Sequence, residues 1–119
     1  MDYKEKVKLI KQGKNLDIFI NDSNPSIRVF MASQGYGLDV LINDPEPFIR
    51  QNVAMKGYGL DILINDPNSY VRAEVANQGY RLDKLINDKN EYVRRTVIEY
   101  CKQHIDNEEC KNILLLNNI

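Results

Sequence analysis

The sequence has no tryptophan, a single histidine and only two cysteines. Cys101 and Cys110 lie nine residues apart, and no CxxC motif or Cys/His cluster accompanies them. We therefore expect neither a disulfide framework nor a zinc site, but two reduced thiols in an intracellular protein. The lone His104, in the segment CKQHIDNEEC, fits no metal or nucleophile motif. The sequence thus predicts no catalytic residue, no metal and no cofactor.

Long apolar runs and an excess of either charge are also missing. No run approaches the roughly 18–20 apolar residues that a membrane span needs. The N-terminal segment MDYKEKVKLIKQGK lacks the apolar core of a secretion signal, so we expect a cytoplasmic protein. The net charge of −1 argues against a general nucleic-acid binder, because such binding rests mainly on neutralising phosphates.

What the sequence does have is a 22-residue repeat. Its consensus reads G-Y-G-L-D-x-L-I-N-D-P-x-x-Y-V-R-x-x-V-A-x-Q, and four segments align to it without a gap: 13–34, 35–56, 57–78 and 79–100. Residues 1–12 fit the second half of a repeat, whereas residues 101–119 leave the pattern, and we interpret both ends as caps. The sequence predicts a single all-α domain, a solenoid of four repeats between two helical caps.

Six columns of the repeat are apolar in every copy and predict the core. The first three are spaced i, i+3, i+4 and the last three i, i+4, i+5, so each set forms one face of a helix. The columns are Leu16/Leu38/Leu60/Leu82, Phe19/Leu41/Leu63/Leu85, Ile20/Ile42/Ile64/Ile86, Ile27/Ile49/Val71/Val93, Met31/Val53/Val75/Val97 and Ala32/Ala54/Ala76/Ile98.

Turn-forming residues divide each repeat into two helices. Asp44-Pro45 and Asp66-Pro67 predict an N-capping carboxylate followed by proline at the first helical position. A glycine then ends the second helix in three of the repeats, at Gly35, Gly57 and Gly79. Each repeat is therefore expected to hold a short α- or 3₁₀-helix and a three-turn α-helix.

The iterated string Asp-Pro-x-x-x-Val-Arg-x-x-Val-Ala, followed by Leu-x-x-Leu-Ile, resembles the leucine-rich repeat variant over residues 13–100. More loosely, it is similar to HEAT and armadillo repeats. The resemblance implies a right-handed superhelix of alternating α- and 3₁₀-helices and a role in protein interaction. One known member of the variant family carries an iron–sulfur cluster, but this chain lacks the cysteines for one, so no cluster is expected.

Three polar columns recur in the repeats and can be interpreted in two ways. The arginines could form a basic stripe for phosphate or an acidic peptide, or they could pair with the aspartates to hold the repeats together. The asparagines could form an internal ladder between turns or a ligand-binding row; the internal ladder is favoured. The columns are Asp22/Asp44/Asp66/Asp88, Arg28/Arg50/Arg72/Arg94 and Asn21/Asn43/Asn65/Asn87.

Aromatic and variable columns are the candidates for a binding face. Tyrosines follow the glycines, and a second aromatic column, Phe48/Tyr70/Tyr92, precedes the Val-Arg pair. Either column could cover the core or present an aromatic ridge to a partner. Variable positions on the second helix away from its apolar stripe complete the predicted face. The candidates are Tyr36, Tyr58, Tyr80, Gln51, Asn52, Met55, Ala73, Glu74, Asn77, Arg95 and Thr96.

These features predict a non-catalytic module or scaffold that binds another protein. The alternative is a nucleic-acid-associated solenoid that uses the arginine or tyrosine ladder. A surface in which aspartates neutralise the arginines would favour the first. The apolar residues of the C-terminal segment, Ile113 to Leu116 and Ile119, are expected to close the core or to pair with a second copy in a homodimer.

Overall fold

A computed structural model describes all 119 residues, and the chain is all-α, as the sequence predicts. It contains ten helices and no strands. In chain order the helices are α1 Tyr3–Lys11, α2 Leu16–Phe19, α3 Pro25–Ser33, α4 Leu38–Leu41, α5 Pro47–Met55, α6 Leu60–Leu63, α7 Ser69–Asn77, α8 Leu82–Leu85, α9 Glu91–Lys102 and α10 Glu108–Leu116. None of them is long and apolar enough to cross a membrane.

Each predicted repeat holds one four-residue helix and one longer helix. The short helices are α-helical, since in the first repeat the Phe19 N–H donates to the Asn15 carbonyl and the Ile20 N–H to the Leu16 carbonyl, both at 3.1 Å. A tighter turn closes the same helix, because the Asp22 N–H reaches back three residues to the Phe19 carbonyl. Of the two alternatives left by the sequence, the structure shows α-helix with a 3₁₀-like end.

The long helices begin two residues later than the sequence predicts. The N-cap is not the aspartate but the second residue after it. In α7 this residue is Asn68, whose Oδ1 accepts from the Tyr70 and Val71 N–H groups at 2.8 and 3.3 Å. The Asp66 carboxylate instead accepts from the Asn68 N–H at 2.9 Å, which forms a turn ahead of the helix. The prediction that Asp44 and Asp66 are the caps is therefore wrong by two positions.

Glycines end the long helices where the sequence predicts. Gly35 follows the C-cap Gln34 with φ +81°, and the next N–H, of Tyr36, returns to the Met31 carbonyl at 3.0 Å. A second glycine, Gly37, begins α4 with φ +65°, where a Cβ atom would overlap Cδ1 of Ile20. Glycine adopts this angle without strain, whereas Asn15 and Arg81 hold it at the equivalent positions of the first and fourth repeats; a Cβ atom at Gly37 would need the Ile20 side chain to move.

Residues Met1–Gly59 form one packed unit. Helix α1 packs on α2 and α3, α3 packs on α5, and the short helices α2 and α4 lie against the long helices of their own repeats. Its most deeply buried side chains include Ile10, Ile27, Met31, Ile49 and Val53.

Residues Leu60–Ile119 form a second packed unit. Helix α7 packs against α9, the short helices α6 and α8 contact the long helices of their own repeats, and α10 covers α8 and α9. Val71, Val75, Val93 and Val97 are fully buried between them. Across both units no residue of the six predicted core columns is exposed, which confirms those columns as core.

The two cysteines of the C-terminal segment differ from their prediction. Cys101, near the end of α9, and Cys110, in the first turn of α10, form a disulfide, with Cα atoms 4.7 Å apart. The expectation of two reduced thiols is therefore wrong in this structure. Both cysteines are fully buried, because the turn between the helices folds α10 back onto α9.

Candidate functional site

Two members of the arginine column, Arg28 and Arg72, pair with carboxylates, as the structural interpretation predicts. In the first unit Arg28 donates to Asp44 through Nε at 2.8 Å and Nη2 at 3.2 Å. Its Nη1 donates to the Asp22 carbonyl at 2.7 Å. Arg28 thus joins the aspartate of its own repeat to that of the next one. The Asp44 hydrogen bond, the largest cause, raises the pKa of Arg28.

The second unit repeats this arrangement. Arg72 donates to Asp88 through Nε at 2.8 Å and Nη2 at 3.1 Å, and its Nη1 donates to the Asp66 carbonyl at 2.7 Å. Burial alone would raise the pKa of Asp88, but hydrogen bonds from Arg72 and the Asn90 N–H outweigh it and lower that pKa. In the first unit, Arg50 likewise donates through Nη1 to the carbonyl of its own repeat's aspartate, Asp44, at 2.7 Å.

Lysine takes the place of arginine at the start of the ladder. Lys6 of α1 donates to Asp22 Oδ2 at 2.7 Å. This bond, followed by the one from the Asn24 N–H, lowers the pKa of Asp22. The N-terminal helix is therefore joined to the first repeat by the same type of contact that joins later repeats within each unit.

The asparagine column does not form the predicted internal ladder. Asn21, Asn43, Asn65 and Asn87 are all exposed. Asn65 accepts from Lys84 Nζ at 2.9 Å, and Asn87 donates weakly to the Asp83 carbonyl at 3.4 Å. The backbone bonds of the short helices already satisfy the turns, so the asparagine amides are free to point outward.

The variable columns lie on the outer face of the long helices. On α5 this face carries Phe48, Gln51, Asn52 and Met55, spaced i, i+3, i+4, i+7. Phe48 and Met55 are exposed and the two amides half-buried, with Asn52 Nδ2 donating to the Phe48 carbonyl at 2.8 Å. One predicted group of site residues therefore shares a surface with an exposed aromatic ring.

The same face of α7 and α9 forms a second surface, which we call the α7–α9 surface. It consists of Tyr70, Glu74, Asn77, Tyr92, Arg95 and Thr96. Tyr70 and Tyr92, one on each helix, are 58% and 46% exposed, and their ring centroids lie 5.1 Å apart at an interplanar angle of 57°. This tilted arrangement is a favourable one for two aromatic rings.

Polar groups on the α7–α9 surface have local partners. Thr96 Oγ1 donates to the Tyr92 carbonyl at 2.8 Å, and Arg95 pairs with Glu91 at 3.1 Å. Glu74 Oε2 accepts from Gln78 at 3.1 Å, and burial, the largest cause, raises the pKa of Glu74.

Ala73 is only 2% exposed, so its inclusion in the predicted face is wrong. Its side chain ends at Cβ and does not extend past its larger neighbours.

The structure divides the aromatic residues differently from the sequence prediction. Among the predicted tyrosines, Tyr58 is exposed, whereas Tyr36 and Tyr80 are half-buried. The column Phe48/Tyr70/Tyr92, which the sequence left between two interpretations, is the one that is exposed in all three repeats. Its place on the helix, three and four residues before the variable columns, is the signal that could have selected it.

No reactive cluster accompanies these surfaces. His104 stacks on Tyr100, with ring centroids 3.9 Å apart, and its Nδ1 lies 2.7 Å from the Tyr100 carbonyl. No three His, Cys, Asp or Glu side chains converge so that they could hold a metal ion.

Comparisons with known proteins give no relative for this chain. It matches no family model, no curated protein and no solved structure.

Proposed function

We propose that the chain is a non-catalytic protein-binding module and that the α7–α9 surface contacts the partner. The exposed Tyr70–Tyr92 pair is the observation that carries this proposal. The core columns are already filled, so packing within the chain does not require these two rings. Tyrosine is enriched among the residues that anchor protein interfaces, because it combines a large apolar area with a hydroxyl group.

The residues around the tyrosine pair suit partner selection. Glu74, Asn77, Arg95 and Thr96 differ in charge and size, and the three variable columns to which they belong change from repeat to repeat. An interface typically surrounds a buried aromatic anchor with polar groups that set specificity. The corresponding face of α5, with Phe48 and Met55, has the same composition of one aromatic ring among variable side chains.

The pairing of the arginines weighs against the nucleic-acid alternative. Arg28 and Arg72 each bind a carboxylate through two N–H groups, which neutralises the charge that a phosphate would need. The nucleic-acid alternative then rests on the tyrosines alone, with single-stranded bases stacked on Tyr70 and Tyr92.

Quantitative affinity capture tests the proposal. Tagged wild type, a Tyr70→Ala/Tyr92→Ala variant and an Ile62→Ser control would be used to recover partners from the native organism. Ile62 is an exposed apolar residue of the same unit and lies on α6, not on either of the helices that carry the two tyrosines. We expect a protein recovered by wild type and control to fall about tenfold or more with the double variant. Equal recovery with all three would exclude this surface, and tyrosine-dependent binding of a single-stranded oligonucleotide would favour the alternative.

We propose that the repeats belong to the leucine-rich repeat variant or a HEAT-like family, because the string Val-Arg-x-x-Val-Ala is iterated along the chain.

We also propose a cytoplasmic location for the protein. The Cys101–Cys110 disulfide is the observation that weighs against it, because cytosolic thiols are kept reduced. Mass-tagging of free thiols in intact cells tests this: two tags per chain support a reducing compartment, and none contradicts it.

A homodimer through α10 is a separate proposal. Leu115, Leu116 and Ile119 remain exposed after α10 has covered α8 and α9. Light scattering at several concentrations tests it, since a strict monomer would exclude the dimer.

A further inference from the structure

Arg94 is the last arginine of the ladder, and it is oriented like the others. Its Nη1 donates to the Asp88 carbonyl at 2.6 Å. Arg28 and Arg72 make the equivalent bonds, to Asp22 and Asp66, both at 2.7 Å. Because this bond fixes one edge of the planar guanidinium group, the other edge of Arg94, formed by Nε and Nη2, is preorganised to receive an acceptor.

The second edge of Arg94 has no carboxylate. In Arg28 and Arg72 the same edge binds the aspartate of the following repeat at 2.8 to 3.2 Å. After Arg94 the repeat pattern stops, and α10 supplies no hydrogen bond or ion pair to this edge. Every buried side-chain nitrogen of the chain has a hydrogen-bond partner. The Nε–H and Nη2–H groups of Arg94, which have none, are therefore accessible to solvent.

An open groove of about 340 Å³ lies beside Arg94. Its apolar lining comes from Ile86, Ile98 and Ile119. Ile119, on this lining, is 55% exposed. A cationic edge and an uncovered apolar lining therefore occur together at this end of the second unit.

We propose that this groove binds an aspartate-bearing turn of a partner protein. The partner carboxylate would accept from Nε and Nη2 of Arg94, as Asp88 accepts from Arg72, and a neighbouring apolar side chain would lie against Ile86, Ile98 and Ile119. The chain itself shows that this arginine edge selects a singly charged carboxylate in a turn. Glu91 and Arg95 also line the groove and pair with each other, so Arg94 carries its one unpaired charge.

The test uses a peptide that copies residues 62–71, which include the chain's own Asp66 turn, and a second peptide with Asp66→Asn. Binding would be followed by NMR through the Arg94 Nε–H signal and the Ile119 methyl signals. We expect both to shift with the first peptide, and we expect its affinity to fall about tenfold with the asparagine peptide or in an Arg94→Lys variant, because a charged bidentate contact is lost. Arg81→Lys is the matched control, since Arg81 is an exposed arginine of the same unit that pairs with Asp83 and does not line the groove.

Three results would overturn the proposal. The first is the absence of a shift at Arg94 with the aspartate peptide. The second is equal affinity for the two peptides or for the Arg94→Lys variant and wild type, provided that circular dichroism shows both variants folded. The third is self-association of wild type that Arg94→Lys abolishes, which would make a second copy the occupant. None of these results bears on the tyrosine surface, so the two proposals fail independently.

Discussion

Arg72 binds both oxygens of the Asp88 carboxylate, at 2.8 Å through Nε and 3.1 Å through Nη2. The two side chains belong to successive repeats and are only 8% and 9% exposed. A third bond, from Nη1 to the Asp66 carbonyl, ties the same guanidinium to its own repeat. One arginine thus fixes the distance and rotation between two neighbouring repeat units, which a lysine, lacking the planar fork, could not do in the same way.

Removing Arg72 should destabilise the chain strongly. We expect Arg72→Met to lower the free energy of unfolding by about 3 kcal/mol, because it leaves Asp88 as a largely buried, unpaired carboxylate. Urea unfolding followed by circular dichroism measures the change. Arg81→Met is the control: Arg81 also pairs with an aspartate, Asp83, but on the exposed surface, so no measurable change is expected. Equal effects of the two substitutions would contradict the account of the ladder.

Acid should destabilise the chain through Asp22 and Asp88. Their pKa values are lowered in the folded state, so the unfolded chain binds these protons more readily. Their contribution to stability is complete above the ordinary aspartate pKa of about 4 and is lost as the pH falls through the lower folded-state values. Unfolding free energies measured across this range should show the loss. The slope should flatten with Asp88→Asn but persist with Asp61→Asn, which alters an exposed side chain.

Glu74 should show the opposite pH dependence. Burial raises its pKa, so the folded state favours the protonated form, and any stability from this group is present at low pH and lost as the pH rises through the folded-state pKa. Glu74→Gln should therefore raise the thermal midpoint at pH 7, with the gain disappearing below about pH 4. Glu99→Gln, on an exposed side chain, is the control. A lower midpoint for Glu74→Gln at neutral pH would contradict the assignment.

The Cys101–Cys110 disulfide should stabilise the second unit. It closes a short loop between α9 and α10, so reduction should lower the free energy of unfolding by about 2–3 kcal/mol. Urea unfolding with and without dithiothreitol measures this, and a Cys101→Ala/Cys110→Ala variant should not respond to the reductant. Two titratable thiols in protein purified under oxidising conditions would show that the bond is absent.

The core and the ladder could be predicted because repetition constrains them. Each apolar column, such as Ile27/Ile49/Val71/Val93, must face the same interior in every copy, and all four of these residues are buried. The arginine and aspartate columns recur at one spacing with balanced charge, so pairing satisfies both at once. Arg28–Asp44 and Arg72–Asp88 show this pairing.

Other features depend on tertiary contacts that spacing does not determine. Asp66 and Asn68 are both good N-caps, and the structure uses Asn68. An asparagine amide suits a turn or solvent equally well, so the exposure of Asn43 could not be deduced. The disulfide depends on how α10 turns back onto α9, which a nine-residue separation leaves open.

Site-specific photocross-linking tests the protein-binding proposal most directly. Benzoylphenylalanine would replace Tyr70, Tyr92 or, as the control, Ile62 in the native organism, followed by irradiation and mass spectrometry. We predict that the probes at positions 70 and 92 capture the same protein and that the probe at 62 does not. Capture of that protein from position 62 alone, or no capture from positions 70 and 92, would contradict the assignment of the α7–α9 surface as the partner contact.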